Sequence, residues 1–541
     1  MANHLRVKLF LLLIILVAAA LRLYGLDWDG GMGAHPDERY VVGVAESLRW
    51  PDRLNPFDVA PSFAYGHLPL YLLALVKGLA CGIDPLLVGR VLSALFDVGT
   101  VALTFALGRR IYGDNAGLLA AAFVALTAAH VQQAHFYTAD APLVLFVIGT
   151  LLFAVRLAER GRPLDAWMAG AWAGMAVGTK LNAALLIAPL GAALTFSDRR
   201  TRLRRGLACG AAAMATFALT NPFALIEFST FWRNVGEQSA IVRGALDVAY
   251  TRQFHGTWPY LYPIVQQLRW GMGWPLGLLA FGGLAYAVRQ AVREPPRRAE
   301  WVLLAWAAPG FAFVGALYVK FPRYLLPLTP LLALYAARVL LTLRQHSRRL
   351  AALLISLTLV TSLLHCLALA GLYSAPHPWL TASEWLYNHA PRDAVIAIEH
   401  WDHPLPLDAT GYDVRELPVF DEDSPEKRRA MGDILAEADY VLIASQRGYA
   451  TLARWPERYP FTARYYSQLF GGELDFEPIA CFKRHPRLGP LALIDAPTAG
   501  LDFSLPELGQ PETPLVLRLG RLDESFVVYD HPQVIIWQRT P

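Results

Sequence analysis

The chain has 541 residues, of which 55% are hydrophobic and 17% charged. Soluble domains carry about 25% charged residues, so the composition excludes a soluble globular protein, and apolar runs of about 20 residues mark membrane spans. A net charge of +4 is too small to point to nucleic acid.

Residues 7–26 read as the first span, with Arg6 and Lys8 at its start. A cleaved signal peptide ending near Ala18-Ala19-Ala20 is the competing reading. In both, the polar stretch 27–66 that follows is an outer loop, and it holds His35-Pro36-Asp37-Glu38-Arg39-Tyr40. Leu68–Ala80 is apolar but short and contains Lys77; it is read as an interfacial piece that does not cross. The further spans are 84–107, 114–132, 140–157, 163–179, 181–196, 206–222, 272–290, 299–319, 322–343 and 350–372, giving about 11 transmembrane helices. With this assignment every short loop on the starting side holds arginines: Arg109 and Arg110, then Arg156 to Arg162, Arg199 to Arg205, Arg289 to Arg298, and Arg344 to Arg349. That is the positive-inside pattern. It places the N-terminus in the cytoplasm, and the loops 27–66 and 223–271 outside. The expected location is a bacterial inner (cytoplasmic) membrane.

From about 374 the composition turns to more proline, more charge and short alternating apolar runs. Residues 374–541 are read as an extracytoplasmic α/β domain and residues 1–373 as the membrane domain. Within the outer domain the expected helices are Thr381–Asn388, with Trp385 and Leu386 inward, and Pro425–Ala438. The expected strands are Ala394–Glu399, Tyr440–Ala444 and Phe526–Tyr529. Cys81, Cys209, Cys366 and Cys481 show no paired spacing, so no disulfide framework is expected.

The outer face collects the residues that carry chemistry. Asp37 and Glu38 come from the first loop, and His67 opens the next apolar piece. His135, Tyr137 and Asp140 come from the loop before the fourth span. Lys180 and Asn182 sit in a tight turn, Arg252 and His255 in the long loop, and Lys320, Arg323 and Tyr324 at the start of the tenth span. Carboxylates from separate loops on one face suit a shared site, and cations beside them suit a lipid phosphate. Blander roles compete. Asp140-Ala141-Pro142 also reads as a helix start, Glu38 as a partner of Arg39, and Lys180 or Arg323 as snorkelling cations. Asp97, inside a span, is paired with Arg90 two turns earlier as an internal structural partner.

Asp37-Glu38-Arg39-Tyr40-Val41-Val42-Gly43-Val44-Ala45-Glu46-Ser47-Leu48 resembles the first-loop motif of GT-C glycosyltransferases of the protein O-mannosyltransferase and aminoarabinose transferase type (families 39 and 83). Tyr65-Gly66-His67-Leu68-Pro69-Leu70-Tyr71 is similar to their next segment, although the aminoarabinose transferases place a lysine where this chain has His67. Ala134 to Leu143, Gly178-Thr179-Lys180 and Phe321 to Pro327 also have counterparts, so the resemblance covers the first ten spans. The tail Asp523 to Pro532 is similar to tails of bacterial family-39-like membrane proteins.

The resemblance implies a GT-C polytopic fold and inverting transfer of a sugar from a polyprenyl-phosphate donor to a hydroxyl of a lipid, glycan or protein. Asp37 is then the general base, with Glu38 and Asp140 as further catalytic carboxylates. Arg39, Tyr40, Tyr65, His67, His135, Lys180, Arg252, His255, Lys320, Arg323 and Tyr324 are candidates for holding donor phosphate or substrate. No cofactor is firmly implied. Asp37, Asp140, His35 and His135 offer ligands to a divalent metal, as in some GT-C relatives, without a close-spaced pair to fix a site. The rival readings are a transporter or flippase of lipid-linked sugars, disfavoured by the absence of an internal repeat, and a scaffold without catalysis.

Overall fold

The computed structural model describes residues 2–79, 82–295, 297–400, 403–510 and 513–541. Ala80 and Cys81, which figured in the sequence reading, lie outside these. The other three cysteines are free, with Cys209 and Cys366 buried. The chain divides into two compact units. The first comprises Met1–Leu26, His35–Arg243 and Trp258–Cys366, and the second Asp27–Ala34, Gly244–Thr257 and Leu367–Pro541.

The first unit is helical. Its helices are α1 (Ala2–Leu23), α2 (Pro36–Ser47), α3 (Leu68–Leu79), α4 (Pro85–Tyr112), α5 (Asp114–Ala125), α6 (Ala128–Ala134), α7 (Asp140–Arg160), α8 (Pro163–Thr179), α9 (Ile187–Thr195) and α10 (Arg199–Thr220). They continue with α11 (Pro222–Ile226), α12 (Phe228–Val242), α13 (Leu261–Gln266), α14 (Trp274–Arg293), α15 (Arg298–Ala316), α16 (Thr329–His346) and α17 (Arg348–Ala370). Local signals set several ends. Asp84 accepts a hydrogen bond from the Leu86 amide at 2.9 Å ahead of Pro85, which opens α4. Gly161, at φ 61°, ends α7 in the left-handed conformation that glycine adopts without strain.

Among the described residues, six helices are long and apolar enough to cross a membrane, or seven if α5 and α6 count as one span bent by 59°. The protein is therefore a multi-pass membrane protein. Two expected segments differ in form, and a third, the short interfacial piece, keeps its expected form. The segment 114–132 is broken at Leu126–Thr127. The segment 181–196 starts as a 3-10 run, Leu181–Leu186, before α9. α3, with 12 residues, is about 18 Å long, shorter than a hydrocarbon core of about 30 Å.

The second unit contains α18 (Pro378–His389), β1 (Val395–Glu399), β2 (Asp413–Leu417), α19 (Pro425–Glu437), β3 (Tyr440–Ile443), α20 (Pro460–Gly471), β4 (Phe476–Phe482), β5 (Arg487–Leu488), β6 (Leu491–Ile494), β7 (Leu515–Arg518) and β8 (Val534–Arg539). One sheet has the order β2-β1-β3-β8-β4, the other β5-β6-β7. β1 pairs parallel with β2 (Val395 with Asp413) and with β3 (Ile396 with Tyr440), while β8 runs antiparallel to β3 and β4. Val441, Ile443, Tyr466, Leu469 and Trp537 are buried in its core.

Phe526–Tyr529 is not the strand its apolar run suggested. Asp523 accepts from the Ser525 amide at 3.0 Å and caps a 3-10 turn, Glu524–Phe526, so the closing strand is β8 instead. Besides the residues from 374 onward, the second unit takes in Leu367–Tyr373 and two loop pieces, Asp27–Ala34 and Gly244–Thr257. Trp28 packs edge-on to Tyr373 at 6.0 Å between ring centroids, and the Glu524 amide donates to Gln253 at 3.0 Å.

Candidate active site

The site begins at the start of α2. Pro36 occupies its first position, and the His35 ring accepts from the Glu38 amide at 3.4 Å. Asp37 and Glu38 both lie in the first turn, where the helix dipole favours carboxylates. Successive helical residues point about 100° apart, so the two acids face different surroundings.

Glu38 turns inward. Its carboxylate accepts from Arg90 at 3.0 and 2.8 Å and from the Tyr137 amide at 2.7 Å, and it is fully buried. Arg90 also donates to the Leu26 carbonyl at 2.7 Å. These bonds tie the first loop to α4 and to the segment ahead of α7. They correct two expectations: Glu38 does not pair with Arg39, and Arg90 serves Glu38 rather than Asp97. Asp97 instead meets Arg22 and His130, each at 2.5 Å.

Asp37 faces a different side and its side chain is 27% exposed. It accepts from Arg323 Nη2 at 3.1 Å and from the Tyr65 hydroxyl. Arg323 Nε lies 3.7 Å from Asp140, and Lys180 Nζ donates to Asp140 at 2.9 Å. Lys180 also sits 5.1 Å from the centre of the Tyr324 ring. Asp140 is the first residue of α7, Lys180 directly follows α8, and Arg323 lies in the 3-10 run Pro322–Leu328 ahead of α16. Four connections far apart in sequence thus supply one alternating cluster of two carboxylates and two cations.

Tyr65 is held by backbone contact. The Gly66 amide donates to the Thr179 carbonyl at 3.2 Å, and a Cβ on Gly66 would lie 2.0 Å from the Gly178 carbonyl oxygen. No side chain fits there, which brings the Tyr65 segment directly against the turn that carries Lys180.

Burial alone would raise the Asp37 pKa, but the charges of Arg323, His35 and Lys180 and the Tyr65 hydrogen bond outweigh it and hold the carboxyl below its ordinary value. Burial and the negative charge of Asp37 push the Tyr65 phenol well above its usual range, so it remains a hydrogen-bond donor.

Other predicted site residues are engaged elsewhere. Arg39 is exposed, and Tyr40 stacks on Phe63 at 5.6 Å. His67 is fully buried among Phe57, Phe63, Tyr71 and Phe231, and burial pushes its pKa down to about 4. The His135 ring nitrogens face the carbonyls of Val131 at 2.7 Å and Tyr24 at 2.9 Å. Lys320 is buried, donates to the Tyr318 carbonyl at 2.8 Å, and has its pKa lowered by burial. Arg252 and His255 belong to the second unit. There Arg252 holds Asp247 at 2.8 Å and His255 stacks on Trp455 at 3.7 Å. Supporting residues that sequence reasoning overlooked include Asn221, whose side chain accepts from the His67 amide at 2.6 Å. A bond across 154 positions leaves no local signal.

The proposed metal ligands do not fit a metal. Arg323 bridges the two carboxylates and Lys180 pairs with Asp140, so cations already stand between the acids. His135 is turned to backbone carbonyls. Among the described residues no group of three or more His, Cys, Asp or Glu is placed to hold an ion.

Residues 67–226, less than a third of the chain, match the family model described as dolichyl-phosphate-mannose-protein mannosyltransferase. No curated protein matches the chain by sequence. Among solved structures, the Archaeoglobus fulgidus oligosaccharyltransferase in its apo form is similar over 85% of this chain and 72% of its own, at 14% identity and TM-score 0.53. The same enzyme tethered to an acceptor peptide with the NVT sequon aligns over 98% and 88%, at 13% identity and TM-score 0.51. ArnT from Cupriavidus metallidurans bound to undecaprenyl phosphate aligns over 82% and 94%, at 15% identity and TM-score 0.50. The chain shares the fold of these oligosaccharyltransferase and ArnT structures.

Proposed function

We infer that the protein is an inverting glycosyltransferase that moves a sugar from a polyprenyl-phosphate donor to a hydroxyl acceptor on the outer face of a bacterial cytoplasmic membrane. The observation that carries this reading is the shared Arg323 guanidinium, which joins Asp37 of the first loop to Asp140 of α7. The family match over residues 67–226 agrees in naming a lipid-phosphate sugar donor. The undecaprenyl phosphate in the ArnT complex is a donor carrier of the same class.

In this mechanism the acceptor oxygen attacks the anomeric carbon while Asp37 takes its proton. The bond from that carbon to the phosphate oxygen breaks, and the lipid phosphate leaves with the charge. Arg323 and Lys180 meet that charge. A single displacement inverts the anomeric configuration. A carboxylate held strongly ionised is a weak base. As the donor phosphate draws Arg323 and Lys180 towards itself, Asp37 loses their stabilisation and its basicity rises when the acceptor arrives. Tyr65 stays protonated and keeps the carboxylate oriented. Asp140 holds Lys180 and Arg323 at the phosphate position.

The test uses purified full-length protein and a radiolabelled polyprenyl-phosphate sugar. Sugar release or transfer that disappears in Asp37→Asn, with donor binding retained, supports the assignment. Undiminished turnover in that variant removes Asp37 from its role.

A further inference from the structure

Three adjoining clefts open at the other end of the first unit's helix bundle. The largest, about 640 Å³, lies between the C-terminal ends of α4 and α7 and is lined by Arg109, Arg110, Arg156 and Arg160. A second, about 370 Å³, shares Arg110 and Glu159 with it and adds Arg297 and Arg298. The third, about 630 Å³, shares Ile111 and Arg297 with the second. Shared walls join the three into one groove; the third part is balanced, with Glu294 and Glu300 beside Arg297 and Arg338, so the excess of positive charge lies in the first two. α7 runs from Asp140 to Arg160 over 21 residues, so the groove lies about 30 Å from the carboxylate cluster along that helix.

Two features go beyond a generic excess of positive charge. First, the charge is incompletely compensated. Arg109 pairs with Asp114 at 2.8 Å, Arg110 with Glu159 at 2.6 Å and Arg156 with Asp165 at 2.8 Å. Arg160, Arg297 and Arg298 have no carboxylate partner among the described residues. Second, the lining changes character with depth. Phe105 precedes Arg109 by four residues on α4, and Leu152 precedes Arg156 by four on α7, and all four line the same cleft. Residues four apart stack on one helix face. Each guanidinium therefore has hydrocarbon one turn deeper, towards the middle of the bilayer. The Arg109 guanidinium lies 6.0 Å from the Phe105 ring centre, which fixes that order.

A phosphate at the level of the arginines with acyl chain one turn below matches this layering, and basic pockets between membrane helices suit anionic lipid headgroups. We propose that this groove is a binding site for an anionic phospholipid of the leaflet opposite the carboxylate cluster. A soluble phosphate compound would use the arginines and leave the Phe105 and Leu152 level unfilled.

The test is native mass spectrometry of the full chain in detergent micelles with equal phosphatidylglycerol and phosphatidylcholine of identical acyl chains. The expected result is retention of phosphatidylglycerol over phosphatidylcholine by about tenfold. In R109Q/R160Q/R297Q the preference falls to about twofold or less. R199Q/R200Q/R204Q removes the same charge from the exposed start of α10 and keeps the preference. Leu152→Trp, which fills the deeper level without changing charge, also lowers retention and serves should the triple variant misfold. Equal loss in both triple variants overturns the site, leaving only general charge attraction. Full retention in Leu152→Trp, or displacement by glycerol phosphate as effective as by the lipid, overturns the lipid assignment in favour of a headgroup-only site.

Discussion

Two ion-pair networks of the first unit are built from similar parts, and they differ in burial and in whether a cation is shared. Around Asp97, the Arg22 guanidinium also reaches the carbonyls of Ala18, Ala125 and Val124, and His130 continues to Thr329 at 2.5 Å. Arg22 and His130 are fully buried, and Asp97 is 1% exposed. Around Asp37, one guanidinium serves two carboxylates from different helices, and the Asp37 side chain is 27% exposed. A saturated network in an apolar interior locks helices together. A network that shares its cation and reaches a surface can exchange partners when a phosphate arrives. On the proposed function, the same residue types thus divide into a structural set and a reactive set by access and by the sharing of a cation.

The sharpest way to break this comparison is to neutralise one acid from each network. Asp37→Asn is expected to lower turnover by about 10²- to 10⁴-fold while leaving the unfolding midpoint in detergent unchanged. A drop in the midpoint with turnover per folded molecule intact would place Asp37 with the structural set. Asp97→Asn leaves Arg22 buried without its counter-charge and is expected to cost about 3–5 kcal/mol of stability. Turnover per folded molecule, measured beside the unfolding curve, should be retained.

A third test uses His67, which sits between the two extremes, since it is buried beside the site without belonging to it. Its pKa falls from an ordinary 6.5 to about 4 in the fold. The neutral ring therefore contributes stability that is fully present above pH 6.5 and is lost as pH falls towards 4. The loss is on the order of 3 kcal/mol. His67→Phe should flatten that part of the stability–pH curve, and an unchanged slope would show that another group titrates there. The smallest effect is expected from Tyr65→Phe. It removes one of the hydrogen bonds holding the Asp37 pKa down, so the acid limb of kcat/KM should move up by about one pH unit. No movement would mean that another group controls the limb.

Much of the helical layout was legible because apolar runs and arginine-rich turns are local signals. The cluster of Asp37, Arg323, Asp140 and Lys180 was legible only as a shared face, since the bond of Arg323 to Asp37 spans 286 positions, that of Lys180 to Asp140 spans 40, and neither carries a periodicity. The division of labour between Asp37 and Glu38 could not be read from adjacency. It follows from helix geometry at α2 and from Arg90, whose position two turns before Asp97 suggested a different partner. Likewise, the bend at Leu126–Thr127 interrupts a run that is apolar from Ala116 to Leu126 and continues with Ala128, Ala129 and Val131. The composition of the outer loops gave no warning that Gly244–Thr257 would join the second unit, because its contacts, such as Gln253 with Glu524, are long-range.

One helix carries Asp140 at its first residue and Arg160 at its last. It therefore acts as a ruler that sets the height of the carboxylate cluster above the far end of the bundle. Membranes that are a few Å thicker or thinner would meet this fixed length by tilting the helix or deforming locally. On the proposed function, donor lipids would then arrive with their phosphates above or below the plane of Arg323 and Lys180, and bilayer thickness would alter turnover without any change in the protein.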